Sequence, residues 1–234
     1  MSKQFEYFLK ILFIFFVGAL GGIFGSEVVF LKSKSNFYSS PTIRLETKEV
    51  KIQENTPLKD AIEKTQNSIV AIQIQTKKGK IINGSGIILT TDGIVLTLSE
   101  LLPQGETINF FVDGEKVSYQ ILKRDPKLNL GVVKVEKKNL TPVPFSDFET
   151  LKIGERVFAL SSFFNQGKIQ KAVNEGIVRY FDEEKIETNI TEDSNFLGSA
   201  LFDIEGKLLG INYLDPKQKI LSIPITKIRQ FTGF

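Results

Sequence analysis

The chain has 234 residues, 41% of them hydrophobic, which suffices for one ordinary domain with an additional segment and excludes wholesale disorder. Its net charge of +3 comes from basic residues scattered among acidic ones, so we expect no nucleic-acid partner. With no cysteine and no histidine, the chain lacks disulfides, thiolate metal sites, the commonest general base and a common zinc ligand, so we expect no metal or cofactor.

An apolar N-terminal segment is the first predicted element. The run Ile11–Ser26 carries no charge, and Val28–Leu31 extends it to about the 20 residues that a membrane-spanning helix needs. We predict a tail over residues 1–10 and an uncleaved signal-anchor over residues 11–31, which makes the chain a single-pass protein of the cell membrane. A cleaved secretory signal stays open, with Ala19-Leu20-Gly21 as its cleavage candidate. Lysines on the two sides of the span balance each other, so charge does not fix its orientation.

A polar stalk follows over residues 32–57, because this stretch is rich in serine and charged residues. Within it, Ile43–Ile52 partly alternates between apolar and polar residues and could add one strand. A short helix is predicted from Thr56 to about Thr65, since Thr56 is a suitable N-cap and Pro57 is tolerated at the first helical position.

Short β-rich runs separated by turn residues make up the rest of the chain. Asp92-Gly93 and Asp113-Gly114 are strong hairpin signals between such runs. This spacing is typical of an all-β barrel or sandwich, and an amphipathic helix over about Ile225–Phe231 closes the chain. The predicted strands are Ser68–Gln75, Gly86–Thr90, Ile94–Thr97, Thr107–Val112, Lys116–Leu122, Leu130–Val135, Arg156–Leu160, Gly176–Tyr180, Lys185–Thr188, Ala200–Phe202, Leu208–Tyr213 and Lys219–Ile223.

Five short motifs in a fixed order carry a resemblance to the HtrA-type branch of the trypsin-like serine proteases. The resemblance covers about Ala61–Phe231 and implies an all-β, trypsin-like double barrel of two six-stranded barrels over residues 58–234. The motifs are Gly84-Ser85-Gly86-Ile87-Ile88 with Asp92–Thr97, then Asp125–Val135, Ile153–Leu160, Gly206–Asn212 and Ser222-Ile223-Pro224.

The positions that carry the family's chemistry are occupied by other residues here. The resemblance places Glu100 where the family has its histidine, Asn129 where it has its aspartate and Leu197 where it has its serine. Leucine has no lone pair with which to attack a carbonyl, and the chain has no imidazole to accept the proton. Asn195 replaces a glycine of the oxyanion hole. We therefore expect no catalytic residues at these positions.

The sequence favours a membrane-anchored, catalytically inactive homologue whose soluble domain lies outside the cytoplasm and binds a peptide or a partner protein. HtrA-type proteases bind extended peptides along a strand edge, which needs no triad. Two alternatives stay open: an active serine endopeptidase with a relocated site, for which Ser99, Ser194 or Ser199 would be the nucleophile, and a purely structural extracytoplasmic domain. Because the sequence ends at Phe234, just after the barrel, we expect no PDZ domain and do not carry over the family's trimer; a homo-oligomer stays open.

Overall fold

The computed structural model describes residues 3–33, 56–217 and 219–234, in two compact units, Met1–Ile52 and Gln53–Phe234. The first unit contains helix α1 (Lys3–Ser33). Across the described residues, none of the helices combines the length and the apolar character that a membrane crossing requires. The possible strand Ile43–Ile52 and most of the predicted stalk lie outside the described residues.

The second unit is all-β with a short helix at each end. Helix α2 (Thr56–Thr65) has the predicted bounds, and helix α3 (Ile225–Thr232) confirms the predicted C-terminal helix. The strands are β1 (Ile69–Gln75), β2 (Ile81–Ile88), β3 (Ile94–Leu98), β4 (Thr107–Val112), β5 (Glu115–Val117), β6 (Tyr119–Asp125), β7 (Leu130–Val135), β8 (Arg156–Asn165), β9 (Lys168–Phe181), β10 (Ile186–Thr188), β11 (Ala200–Asp203), β12 (Leu208–Leu214) and β13 (Ile220–Pro224).

The C-terminal strands form a closed six-stranded barrel in the order β10-β13-β12-β11-β8-β9, as predicted. The N-terminal strands form a half-barrel instead, a seven-stranded sheet in the order β5-β4-β1-β2-β3-β7-β6, so the prediction of two six-stranded barrels is wrong. The predicted strand Lys116–Leu122 changes partner at Ser118, where β5 leaves β4 and β6 joins β7. The carbonyl of Ser118 accepts from Glu136 N–H at 2.9 Å. The two edge strands of the sheet, β5 and β6, are therefore connected along the chain through Ser118 and do not pair with each other.

The β8–β9 hairpin is longer than the sequence predicted. It pairs from Arg156 with Ile177 out to Asn165 with Lys168. Its two-residue turn, Gln166-Gly167, has φ values of 48° and 80°, which matches the right-handed twist of the flanking strands. Near the tip, the ring of Phe164 stacks on Phe111 of β4 with centroids 4.7 Å apart, so the hairpin of the barrel contacts the other half of the domain.

The core has two parts. The larger cluster joins the two halves, with Ile72 and Phe110 from the sheet packed with Phe158 and Phe202 from the barrel wall. The rings of Phe158 and Phe202 lie 5.2 Å apart. A smaller cluster fills the barrel. Because apolar side chains from both halves share one core, residues at the rim of their junction are held in fixed relative positions.

The barrel also carries a cluster of ion pairs around Glu187, whose side chain is 20% exposed. Lys219 Nζ lies 2.6 Å and Lys185 Nζ 2.9 Å from its carboxylate oxygens, and hydrogen bonds from Lys219 and then Lys185 lower the pKa of Glu187 from 4.5 to about 2. A carboxyl whose pKa is lower in the folded chain stabilises the fold above pH 4.5, and this stabilisation is lost as the pH falls toward 2.

We therefore expect Glu187→Gln to lower the free energy of unfolding by about 1 kcal/mol at pH 7, since partly exposed pairs are screened by solvent. At pH 3 the difference between variant and parent should shrink. Urea unfolding at both pH values measures it, with Glu63→Gln on α2 as the matched control, because Glu63 forms no ion pair with a described residue. An equal loss at both pH values would contradict the pKa argument.

Candidate functional site

A cleft of about 460 Å³ lies at the junction of the half-barrel and the closed barrel. The half-barrel contributes residues 80–83, Glu100 and Leu101. The barrel contributes Leu197 and Leu214, together with Ser194 and Asn195. Two of the three positions that the family resemblance singled out, Glu100 and Leu197, therefore line one cleft.

The third position, Asn129, lies beside Glu100. Glu100 is exposed on a 3-10 turn, Ser99–Leu101, that follows β3, and Asn129 precedes β7. Asn129 Nδ2 donates to Glu100 Oε1 at 2.7 Å, and the Glu100 N–H donates to Asn129 Oδ1 at 3.1 Å. Asn129 adopts a left-handed backbone, φ 53°, which asparagine tolerates better than most residues. The Asn129 side chain thus bonds both the carboxylate and the backbone N–H of Glu100.

Leu197 is fixed to the half-barrel through its backbone. Its side chain is only 9% exposed, and its carbonyl accepts from the N–H of Ser85 in β2 at 2.8 Å. The next residue, Gly198, has φ 73°, and a Cβ there would lie 2.2 Å from the carbonyl oxygen of Ser85. Only glycine fits this close approach of two backbones.

The loop before Leu197 uses its own N–H groups internally. Residues Ser194–Phe196 form a 3-10 turn whose N-cap is Asp193. The Asp193 carboxylate accepts from Asn195 N–H at 2.8 Å, and the carbonyl of Ser194 accepts from Leu197 N–H at 3.2 Å. An oxyanion hole needs N–H groups aimed at the ligand oxygen. The N–H groups of Asn195 and Leu197, which the family resemblance matches to the two donors of the oxyanion hole, are directed at acceptors within the loop.

The serines near the site differ in accessibility. Ser199 is buried, donates from Oγ to the carbonyl of Phe196 at 2.7 Å and accepts from Asn212 Nδ2 at 2.8 Å. Ser99 is buried as well, and its hydroxyl accepts from Arg124 Nε at 3.0 Å. Ser194 is exposed and lines the cleft together with Lys80, but no hydrogen bond joins the two side chains in the part of the chain that the structure describes.

Part of strand β2 presents to the cleft an edge with no partner strand among the described residues, which the sequence did not indicate. It pairs with β1 from Ile81 to Ile87 but with β3 only at Ile87 and Ile88. The Ser85 N–H points away from β1, toward Leu197, and alternate residues of a strand share this direction. The main-chain N–H and C=O groups of Ile81 and Asn83 therefore also point away from β1. Both residues line the cleft.

Asn83 is the site residue that sequence reasoning missed. Its Oδ1 is buried and has no hydrogen-bond partner among the described residues. The one signal in the sequence was a polar side chain directly before Gly84. It was missed because the predicted strand began only at Gly86. The structure begins that strand at Ile81 and so places Asn83 inside it.

Comparison with known proteins gives one family and several relatives. The model of the trypsin-like peptidase domain family matches residues 84–211, a segment that includes Glu100, Asn129 and Leu197. A probable periplasmic serine endoprotease DegP-like from Pseudomonas putida is 33% identical over 138 residues, which is 55% of this chain and 28% of the relative. A protein of the same description from Bartonella henselae is 26% identical over 194 residues, 76% of this chain and 36% of the relative.

Similarity extends to a vertebrate protein. Serine protease HTRA1 of Xenopus tropicalis is 28% identical over 193 residues, which is 74% of this chain and 41% of that protein. In each of these three alignments the chain covers less than half of the relative's length.

Proposed function

Because the chain belongs to the trypsin-like peptidase family and carries a domain of the HtrA type, we propose that it binds extended peptides, free or as part of a partner protein, without hydrolysing them. The observation that carries this proposal is the loop at residues 193–198. There a leucine stands where the family resemblance places the nucleophile, and the N–H groups of Asn195 and Leu197 donate within the loop.

Peptide hydrolysis in this family needs an attacking hydroxyl, an acceptor for its proton and donors for the developing oxyanion. Leu197 cannot attack. Glu100 holds the position of the acceptor, but one of its oxygens already accepts from Asn129 and no hydroxyl stands at position 197. The donors are directed at Asp193 and Ser194 instead of the cleft. The three requirements involve Glu100, Asn195 and Leu197 together, so we expect no single replacement to restore the reaction.

Peptide binding makes none of these demands. An extended segment can add to the outward edge of β2 at Ile81 and Asn83, where main-chain hydrogen bonds supply affinity for any sequence. The exposed side chain of Ile81 and the half-buried Leu214 give the cleft apolar surface for side chains of the bound segment.

The domain is proposed to act outside the cytoplasm, since the Pseudomonas putida and Bartonella henselae relatives are described as periplasmic. Glu183→Cys gives a single thiol at an exposed position, because the chain has no other cysteine. We expect a membrane-impermeant maleimide to label this variant in spheroplasts. Labelling only after lysis would place the domain in the cytoplasm.

An active-site probe tests the proposal against a relocated active site. A fluorophosphonate reacts with activated serines, and Ser194 is the accessible candidate in the cleft. We expect no labelling of the full chain under conditions that label the Pseudomonas putida relative fully, because Ser194 has no hydrogen-bonded base among the described residues. Labelling that disappears in Ser194→Ala, together with cleavage of casein, would establish an active protease instead.

A further inference from the structure

Two hydrogen-bond acceptors in the cleft have unused capacity. The Asn83 Oδ1 is buried without a partner among the described residues, an unfavourable state that a turn of the Asn83 side chain toward a donor in the cleft would relieve. The exposed Glu100 carboxylate accepts from Asn129 through Oε1, and it forms no ion pair with any cation that the structure describes. Both residues line the same cleft.

The geometry around Glu100 points to a ligand with a positive charge. The bond from Asn129 Nδ2 orients the carboxylate and leaves Oε2 available to a second donor. Two cationic side chains lie close by without occupying it: Lys80 lines the cleft, and Arg124 donates from Nε to the carbonyl and hydroxyl of Ser99. A cation brought by a ligand would therefore displace no existing ion pair of Glu100.

We propose that the cleft selects extended peptides that carry a lysine or arginine side chain, with Glu100 pairing with the cation and Asn83 accepting an N–H of the same peptide. This selectivity rests on the proposed peptide-binding function and adds the class of ligand. The exposed Ile81 and the half-buried Leu214 offer apolar surface to the methylene stem of such a side chain, whose charged end then reaches the exposed carboxylate.

Fluorescence anisotropy with the full chain in mild detergent tests the selectivity. The probes are two fluorescein-labelled eight-residue peptides of alternating serine and valine that differ at one central position, lysine or norleucine. We expect the lysine peptide to bind about fivefold more tightly at low salt, as for a single partly exposed ion pair. In Glu100→Gln, which keeps an oxygen for Asn129 but loses the charge, the two peptides should bind equally. Glu63→Gln, on α2 outside the cleft, should behave like the parent.

A second variant separates binding from folding. Asn83→Ala removes a buried acceptor that has no partner, so the free energy of unfolding should stay equal or rise, while both peptides bind several-fold more weakly. Equal affinity of the parent for the two peptides would overturn the selectivity and leave the proposed function standing. Absence of binding to either peptide would overturn both.

Discussion

Replacing Gly198 by alanine is expected to lower the free energy of unfolding by about 3 kcal/mol or more. The residue has φ 73°, where an L side chain is strained by about 1–2 kcal/mol. An added Cβ would also lie 2.2 Å from the Ser85 carbonyl oxygen and 2.9 Å from Leu101 Cδ1, so the loop and β2 would have to separate. Overpacking of this kind adds about 1–3 kcal/mol.

Gly114→Ala is the matched control. Gly114 has φ 84° in the turn between β4 and β5, and no atom lies within 4 Å of the position its Cβ would take. This variant should show the backbone strain alone, about 1–2 kcal/mol. Urea unfolding of both variants at pH 7 measures the difference. Equal losses would mean that the close contact between the 193–198 loop and β2 does not stabilise the domain.

Reinstalling the family's three residues is expected to yield almost no protease. In Glu100→His/Asn129→Asp/Leu197→Ser the attacking group and its base are present, but the N–H groups at positions 195 and 197 still donate to Asp193 and Ser194. Each missing oxyanion donor lowers kcat by about 10²–10³. We therefore expect turnover roughly 10⁴-fold or more below that of the Pseudomonas putida relative on the same fluorogenic peptide.

A fourth substitution identifies the cause. Asp193→Ala removes the acceptor that holds the N–H of residue 195. Adding this substitution to the triple variant should raise turnover by about 10-fold or more, because one N–H donor becomes free to bind the oxyanion. The same substitution in the parent should leave turnover at zero. Full activity in the triple variant alone would show that the loop rearranges freely. The direction of the N–H groups of residues 195 and 197 would then not prevent hydrolysis.

The fold was predictable where it depends on repeated local patterns. The order of short runs and turns, with the motifs around Gly84 and Gly206, predicted the closed barrel, and the resemblance identified Glu100 and Asn129, which lie in hydrogen-bond contact 29 positions apart in the chain. The predicted strand Lys116–Leu122 was wrong because nothing local marks the change of partner at Ser118.

The site was less predictable, because its decisive features depend on the direction of single groups. Whether the Asn195 N–H faces the cleft depends on the rotation of one peptide plane and on the Asp193 carboxylate that captures it. The unpaired Asn83 Oδ1 depends on which groups pack around this side chain in the folded domain. Neither is a property of residue type or of spacing along the chain.

The central claim is that this cleft binds a peptide and leaves it intact. The most direct measurement incubates the full chain with the fluorescein-labelled lysine peptide, follows binding by anisotropy, and then determines the mass of the recovered peptide over many hours. We predict saturable binding that Asn83→Ala weakens, and a single recovered mass equal to that of the starting peptide. Fragments whose formation stops when one side chain of this domain is replaced would contradict the account.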